Sequence, residues 1–306
     1  MIKDSPYYRQ AELLLRILPI VNREEVFALK GGTAINFFYR DLPRLSVDID
    51  LTYLPLKDRD KSLQEINDKL LDLKGEIFRT FPRSKIIHKQ LSESKFVYGL
   101  VINNQNALIK IEPNTTIRGM VYPTVEKRLC TRAEEIFELS LSARVLSLED
   151  IYGGKICAAL DRQHPRDLYD IKLLLEHEGI SDKTRDAFIV YLISHDRPIV
   201  EVLNPGLRDI KLIYENEFSG MTLDNVTLPS LIDTRLNLIT LIKSSLTENE
   251  KLFLLLFKNM TPDWTLLGLE GIENMPAIKW KMLNLKKMKP ASHRKAYEKL
   301  EDYLLK

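Results

Sequence analysis

Positions 45–53 alternate in character, with Leu45, Val47, Ile49, Leu51 and Tyr53 on one parity and Ser46, Asp48, Asp50 and Thr52 on the other. A two-residue period marks a half-buried strand, so Asp48 and Asp50 project from the same face. Residues 5–18 read as an amphipathic helix, with Leu13, Leu14, Ile17 and Leu18 on one side, and 63–78 form a second helix. After it, 85–88, 96–102 and 107–112 read as successive strands, with a hairpin turn at 103–106. Strands that return beside the first after a helix predict an α+β fold, a small mixed sheet with flanking helices. Further helices are expected at 148–162 and from 165 to Gly179, then at 187–194, 228–245, 248–259 and 276–285, with breaks at Pro198, Pro205 and Pro229. The organisation predicted is an α+β domain over 1–180 and a helical C-terminal domain over 181–306.

Upstream of the alternating strand, Gly31 and Gly32 follow the apolar run 26–29 and precede 34–39, at a strand-to-helix junction. Backbone N–H groups there, with no Cβ in the way, suit an anion such as phosphate. Thr33 can donate to the same phosphate or cap the helix. The sequence G-x-x-x-x-G-K followed by serine or threonine is absent, so this is not a P-loop. Two adjacent carboxylates repel unless a cation lies between them or one is protonated. Oxygen ligands in small number suit Mg²⁺ that also holds substrate phosphates, which makes Asp48 and Asp50 candidate metal ligands.

Three more positions carry candidate chemistry. Glu112 sits on the parity of Leu108 and Lys110 and is either a third acid for metal or an exposed glutamate that Lys110 neutralises. Ser147 and Asp150 form a helix start. Two turns into that helix, Lys155 lies among apolar and small residues, where a lysine either snorkels out or meets an anion. Pro165 opens the next helix, on which Arg166 and Asp170 are spaced to pair, and Asp167 and Asp170 share a face. Spacing does not decide between Asp167 and Asp170.

Composition narrows the class. The 306 residues are 44% hydrophobic and 29% charged, ordinary globular material. Cys130 and Cys157 are too few for a disulfide framework. The polar first ten residues show no signal peptide, and no apolar run approaches a membrane span, so a cytoplasmic location is expected. Net charge is only +2, but from Pro276 onward nine basic residues face three acids, a surplus of six, with Trp280, His293 and Tyr297 interleaved. That cluster either tracks an RNA backbone or is a solvated helix face.

L-K-G-G-T-A at 29–34, P-R-L-S-V-D-I-D-L at 43–51 and P-R-D-L-Y-D-I at 165–171, with the tail segments 246–251, 262–264 and 280–285, together resemble the AbiEii/AbiGii toxin family of nucleotidyltransferases. That family lies in the DNA polymerase β-like superfamily. Here Thr33 stands at the superfamily's serine, with fourteen residues between it and Asp48. The resemblance implies a nucleotidyltransferase fold in the N-terminal domain. It also implies a Mg²⁺- or Mn²⁺-dependent toxin of a toxin–antitoxin or phage-defence system, moving NMP from NTP to a hydroxyl, with the tRNA 3′ end as acceptor and a cognate antitoxin as partner. Implied site residues are Asp48, Asp50, Lys155, Asp167 and Asp170 for catalysis. Lys30, Gly31, Gly32, Thr33, Ser46, Lys155 and Arg166 would bind nucleotide, and Asp48, Asp50 and Glu112 metal. Transfer to a protein or small molecule, phosphotransfer, and a non-catalytic nucleotide-binding role are the alternatives.

Overall fold

The computed structural model describes residues 7–91, 96–105 and 107–306. Positions 5 and 6 of the first expected helix and Asn106 of the expected hairpin turn lie outside them. Chain order begins α1 (Tyr8–Val21), β1 (Phe27–Lys30), α2 (Gly31–Ala34) running into a π-helical turn (Ile35–Tyr39), β2 (Asp48–Tyr53), α3 (Arg59–Thr80), β3 (Lys85–Gln90), β4 (Val97–Asn104) and β5 (Ala107–Asn114). It continues through β6 (Val125–Arg128), α4 (Thr131–Phe137), β7 (Ser142–Val145), α5 (Leu148–Arg162) and α6 (Pro165–His177). Then come α7 (Asp182–Ser194), α8 (Ile199–Leu203), α9 (Lys211–Glu217), α10 (Leu228–Ser245), α11 (Glu248–Lys258), α12 (Pro276–Lys286) and α13 (Pro290–Leu305). Contacts divide the chain into two units. One takes the described residues up to Ile151 with Ser219–Asn225, the other Tyr152–Phe218 with Val226–Lys306. The boundary expected after 180 falls inside the second unit, between α6 and α7.

In the first unit the strands form one mixed sheet in the order β3-β4-β5-β2-β1-β7-β6. β2 runs antiparallel to β1 and parallel to β5, with Lys30 and Glu112 both in register with Asp50, and Lys110 with Asp48. Ile49, Leu51, Ile109 and Ile111 are buried on the face covered by α1 and α3, each worth about 1.5–3 kcal/mol. The opposite parity, Asp48, Asp50, Lys110 and Glu112, is only half-buried. β2 starts at Asp48 rather than 45 because the preceding backbone is taken up elsewhere: Leu45 N–H donates to Met221 O (2.9 Å) and Arg44 bridges Thr222. β6, α4 and β7 had no clear signal in the sequence. β6 is four residues of Val-Glu-Lys-Arg with no buried position, so it has no alternation to read.

The second unit is helical, and its ends are chemically marked. α6 stops at Gly179, whose φ of +71° and N–H bond to Leu174 O (2.8 Å) close the last turn. Ser181 caps α7 at Thr184 N–H, and Thr247 with Glu250 forms a capping box on α11. α5 and α7 touch at Gly153, where a Cβ would lie 2.8 Å from the Ala187 backbone and from Phe188 N. Gly153→Ala therefore forces two helices apart and is expected to cost about 1–3 kcal/mol, read as a lower urea midpoint. An unchanged midpoint would contradict this packing. No helix among the described residues is long and apolar enough to cross a membrane.

Candidate active site

β1 ends in Lys30, and the chain turns at Gly31 with φ +69°, a conformation that costs an L-residue about 1–2 kcal/mol. A Cβ on Gly31 would lie 2.7 Å from Asp50 Oδ2, so the Asp50 carboxylate points at the diglycine turn. Among the described residues the Asp50 carboxylate has no hydrogen-bond or ion-pair partner, although the residue is half-buried. At Gly32 a Cβ would meet Arg44 Nη2 at 2.6 Å and Ser46 Oγ at 3.2 Å. Arg44 is only 2% exposed, with Nη1 donating to Leu45 O (2.9 Å). A glycine at 32 thus makes room for a guanidinium.

Thr33 ties the turn to β2. Its Oγ1 lies 2.6 Å from Asp48 O, which can only accept, and 2.9 Å from Ser46 Oγ. One hydroxyl carries one proton, so Thr33 donates to Asp48 O and Ser46 donates to Thr33. Both hydroxyl protons are then committed within the protein. The pair acts as a brace that fixes the backbone of Asp48.

Glu112 faces the same side as Asp50 and forms an ion pair with Lys89, which reaches over from β3. The path across β4 is open because Gly99, in register with Lys89, has no side chain; a Cβ there would sit 3.5 Å from Glu112 Cγ. The hydrogen bond to Glu112 holds the Lys89 ammonium above its usual range, with Asp48 adding to the effect. Glu112 is therefore neutralised by Lys89, whereas Lys110 sits opposite Asp48. Among the described residues no three Asp, Glu, His or Cys side chains converge into a cation cage. The hard oxygens of Asp48 and Asp50 still fit a small divalent cation whose shell phosphate and water would complete.

The second unit contains a charged cluster of its own. Lys155 Nζ lies 2.8 Å from Asp167 Oδ1 and 3.1 Å from Asp170 Oδ2, with Lys155 7%, Asp167 2% and Asp170 0% exposed. Arg162 adds two bonds to Asp167, at 2.6 and 3.1 Å. Burial alone would raise the Asp167 carboxyl, but Lys155 and Arg162 hold it far below the usual aspartate range. Lys155 thus meets anions rather than snorkelling out, and both aspartates touch it. Arg166 points elsewhere: its backbone N–H is capped by His164 Nδ1, and its guanidinium lies 3.8 Å from Glu217.

The profile of the family described as nucleotidyl transferase AbiEii toxin, type IV TA system, matches residues 12–267. The chain belongs to this family. Its fold is similar to that of the nucleotidyltransferase toxin MenT4 from Mycobacterium tuberculosis, with a TM-score of 0.58 at 11% identity over 92% of this chain and 93% of that one. No curated protein matches the sequence. As a member of the AbiEii family the chain is a nucleotidyltransferase toxin, with an NTP substrate and a cognate antitoxin.

Sequence reading of this AbiEii toxin assigned no role to Arg44, Lys89 or Arg162. Arg44 lies inside the quoted P-R-L-S-V-D-I-D-L stretch, yet an arginine after a proline reads as solvent-exposed until the fold buries it. Lys89 finds Glu112 only through strand order. For Arg162 there was a local signal, five residues before Asp167 across a helix break. Gly31→Ala would drive a methyl group into Asp50 and strain the turn. Transfer is expected to fall at least about tenfold, since the backbone strain alone exceeds 1 kcal/mol. Steady-state assays check this, and full activity would separate Gly31 from the site.

Proposed function

We propose that this chain is a Mg²⁺- or Mn²⁺-dependent enzyme that transfers NMP from an NTP to a hydroxyl at the 3′ end of tRNA, arresting translation until a cognate antitoxin silences it. The observation that carries this reading is the open Asp50 carboxylate aimed at the diglycine turn. In it Asp48 and Asp50 would hold the metal, with Glu112 as the candidate third acid and Lys89 as its counter-ion. A divalent cation there would stabilise triphosphate charge and lower the pKa of the attacking hydroxyl.

The chain's own groups do the rest. Gly31 and Gly32 N–H groups hold the β- and γ-phosphates, with Lys30 and the buried Arg44 guanidinium as cations at the turn. Thr33 and Ser46 keep Asp48 in register. Lys155 is the cation for charge on departing pyrophosphate, and Asp167 with Asp170 orients its ammonium. Arg166 remains a candidate nucleotide contact. The acceptor oxygen bonds to the α-phosphorus, the bond from that phosphorus to the α–β bridging oxygen breaks, pyrophosphate leaves, and the hydroxyl proton is released to solvent.

Incubation of the protein with NTP radiolabelled at the α-phosphate, Mg²⁺ and total RNA tests this. Label is expected on tRNA and removable by 3′-exonuclease. Label on RNA from γ-labelled NTP would replace the reading with phosphotransfer, and label only on protein or a small molecule would overturn the acceptor.

A further inference from the structure

α12 buries one side and leaves the other unusually furnished. Ala277, Ile278 and Leu285 face inward, and Lys281 is drawn in with them, its ammonium bonded to the backbone oxygens of His195 and Arg197 at 2.6 Å and of Asp196 at 3.2 Å. Lys281 therefore belongs to the packing of α12 on the end of α7 and not to a basic surface. On the outer side Trp280 is 56% and Leu283 49% exposed. Lys279, Lys286 and Lys287 are exposed on the same side. At 3.6 residues per turn these five positions fall within about 120° of the helix circumference. Lys287 Nζ lies 5.9 Å from the centre of the Trp280 ring, and Lys289 follows directly, also exposed.

This is not the usual solvated helix face. On the neighbouring helix α13 and at its end, Arg294 pairs with Glu298 and Lys306 with Asp302, so part of the charge there is matched locally. Lys279, Lys286 and Lys289 have no ion-pair partner among the described residues. Like charges on one arc repel, and a large aromatic ring between them stays wet.

We propose that the outer face of α12 is the surface on which the toxin docks the single-stranded part of its RNA acceptor, with a base stacked on Trp280 and the backbone phosphates tracked by Lys279, Lys286, Lys287 and Lys289. A polyanion removes the lysine repulsion and releases counterions. A nucleobase covers the indole in a way that is tolerant of sequence. Charge complementarity alone would also suit an acidic protein, but the indole framed by lysines fits alternating base and phosphate. The proposal rests on the reading that the acceptor is RNA.

The test is fluorescence anisotropy of the full-length protein with a dye-labelled single-stranded RNA ending as a tRNA 3′ terminus, over a series of salt concentrations. Trp280→Ala is expected to weaken binding about tenfold, and Trp280→Phe to retain most of it. The variant Lys279→Glu, Lys286→Glu, Lys287→Glu is expected to lower the slope of log affinity against log salt by about two. NTP affinity and melting temperature stay as in the wild type, since the altered side chains are exposed. Unchanged RNA affinity and slope in both variants would overturn the proposal, as would wild-type binding to an acidic peptide or anionic vesicles that these changes abolish while RNA does not bind. The two readings separate: RNA labelling by the wild type together with unaltered binding by the variants sinks this surface alone. Loss of RNA binding in the variants, with label found only on a non-RNA acceptor, keeps the surface and removes the acceptor assignment.

Discussion

Asp50→Asn is expected to lower nucleotidyl transfer about a thousandfold while leaving the melting temperature within a degree or two of the wild type. The substitution keeps the shape of the side chain and removes its charge. Asp50 is half-buried and its carboxylate has no partner among the described residues, so the fold loses no ion pair. A metal-binding site, by contrast, loses an anionic ligand next to Gly31, where a Cβ would lie 2.7 Å from Oδ2. Metal stabilisation of phosphoryl charge is worth several kcal/mol, and about 4 kcal/mol corresponds to a thousandfold. Steady-state transfer and a thermal melt on the same preparation check both halves. Loss of activity with a collapsed melt would make Asp50 a structural residue, and retained activity would remove it from catalysis.

Lys155→Met is expected to have the largest effect on stability, about 3–5 kcal/mol, because it leaves two buried carboxylates without the ammonium that lies between them. Arg162 is 60% exposed and offsets only part of the loss at Asp167. The same cluster sets the acid response. The Asp167 carboxyl titrates below its unfolded value of about 3.9, so its ion pairs contribute fully at neutral pH. That contribution falls away as the pH drops below this value toward the depressed folded one. Urea melts at pH 7 and in the acid range are expected to show the wild type losing stability steeply below pH 4, and Asp167→Asn losing less over the same interval. A Lys155→Met protein as stable as the wild type would mean the cluster is not holding the second unit together.

How far the sequence reads depends on the range of the interaction. The β2 alternation, the diglycine turn and the α5 cap are encoded within a few residues, and the mixed sheet with helices on one face follows from them. Lys155 was legible as a problem, a cation on an apolar face, but its solution required α6 to bring Asp167 and Asp170 alongside. Arg44 and Lys89 were not legible, because Arg44 owes its burial to the fold around it and Lys89 reaches Glu112 only across Gly99 of a neighbouring strand. β7 was equally hidden: four residues whose place beside β1 is set by a parallel pairing more than a hundred residues apart. Thr33 shows a subtler limit, since a hydroxyl able to reach phosphate is spent on Asp48 O once β2 closes over it.

Cation uptake at the acidic pair tests the account most directly. Free Mn²⁺ is followed by electron paramagnetic resonance as it is titrated into the protein with a non-hydrolysable NTP analogue, for the wild type and for Asp48→Asn, Asp50→Asn. With nucleotide present, the wild type is predicted to draw more Mn²⁺ from solution than the analogue binds by itself, and the double variant to draw no more than the analogue alone. Equal uptake by both proteins would contradict a metal held between β2 and the diglycine turn.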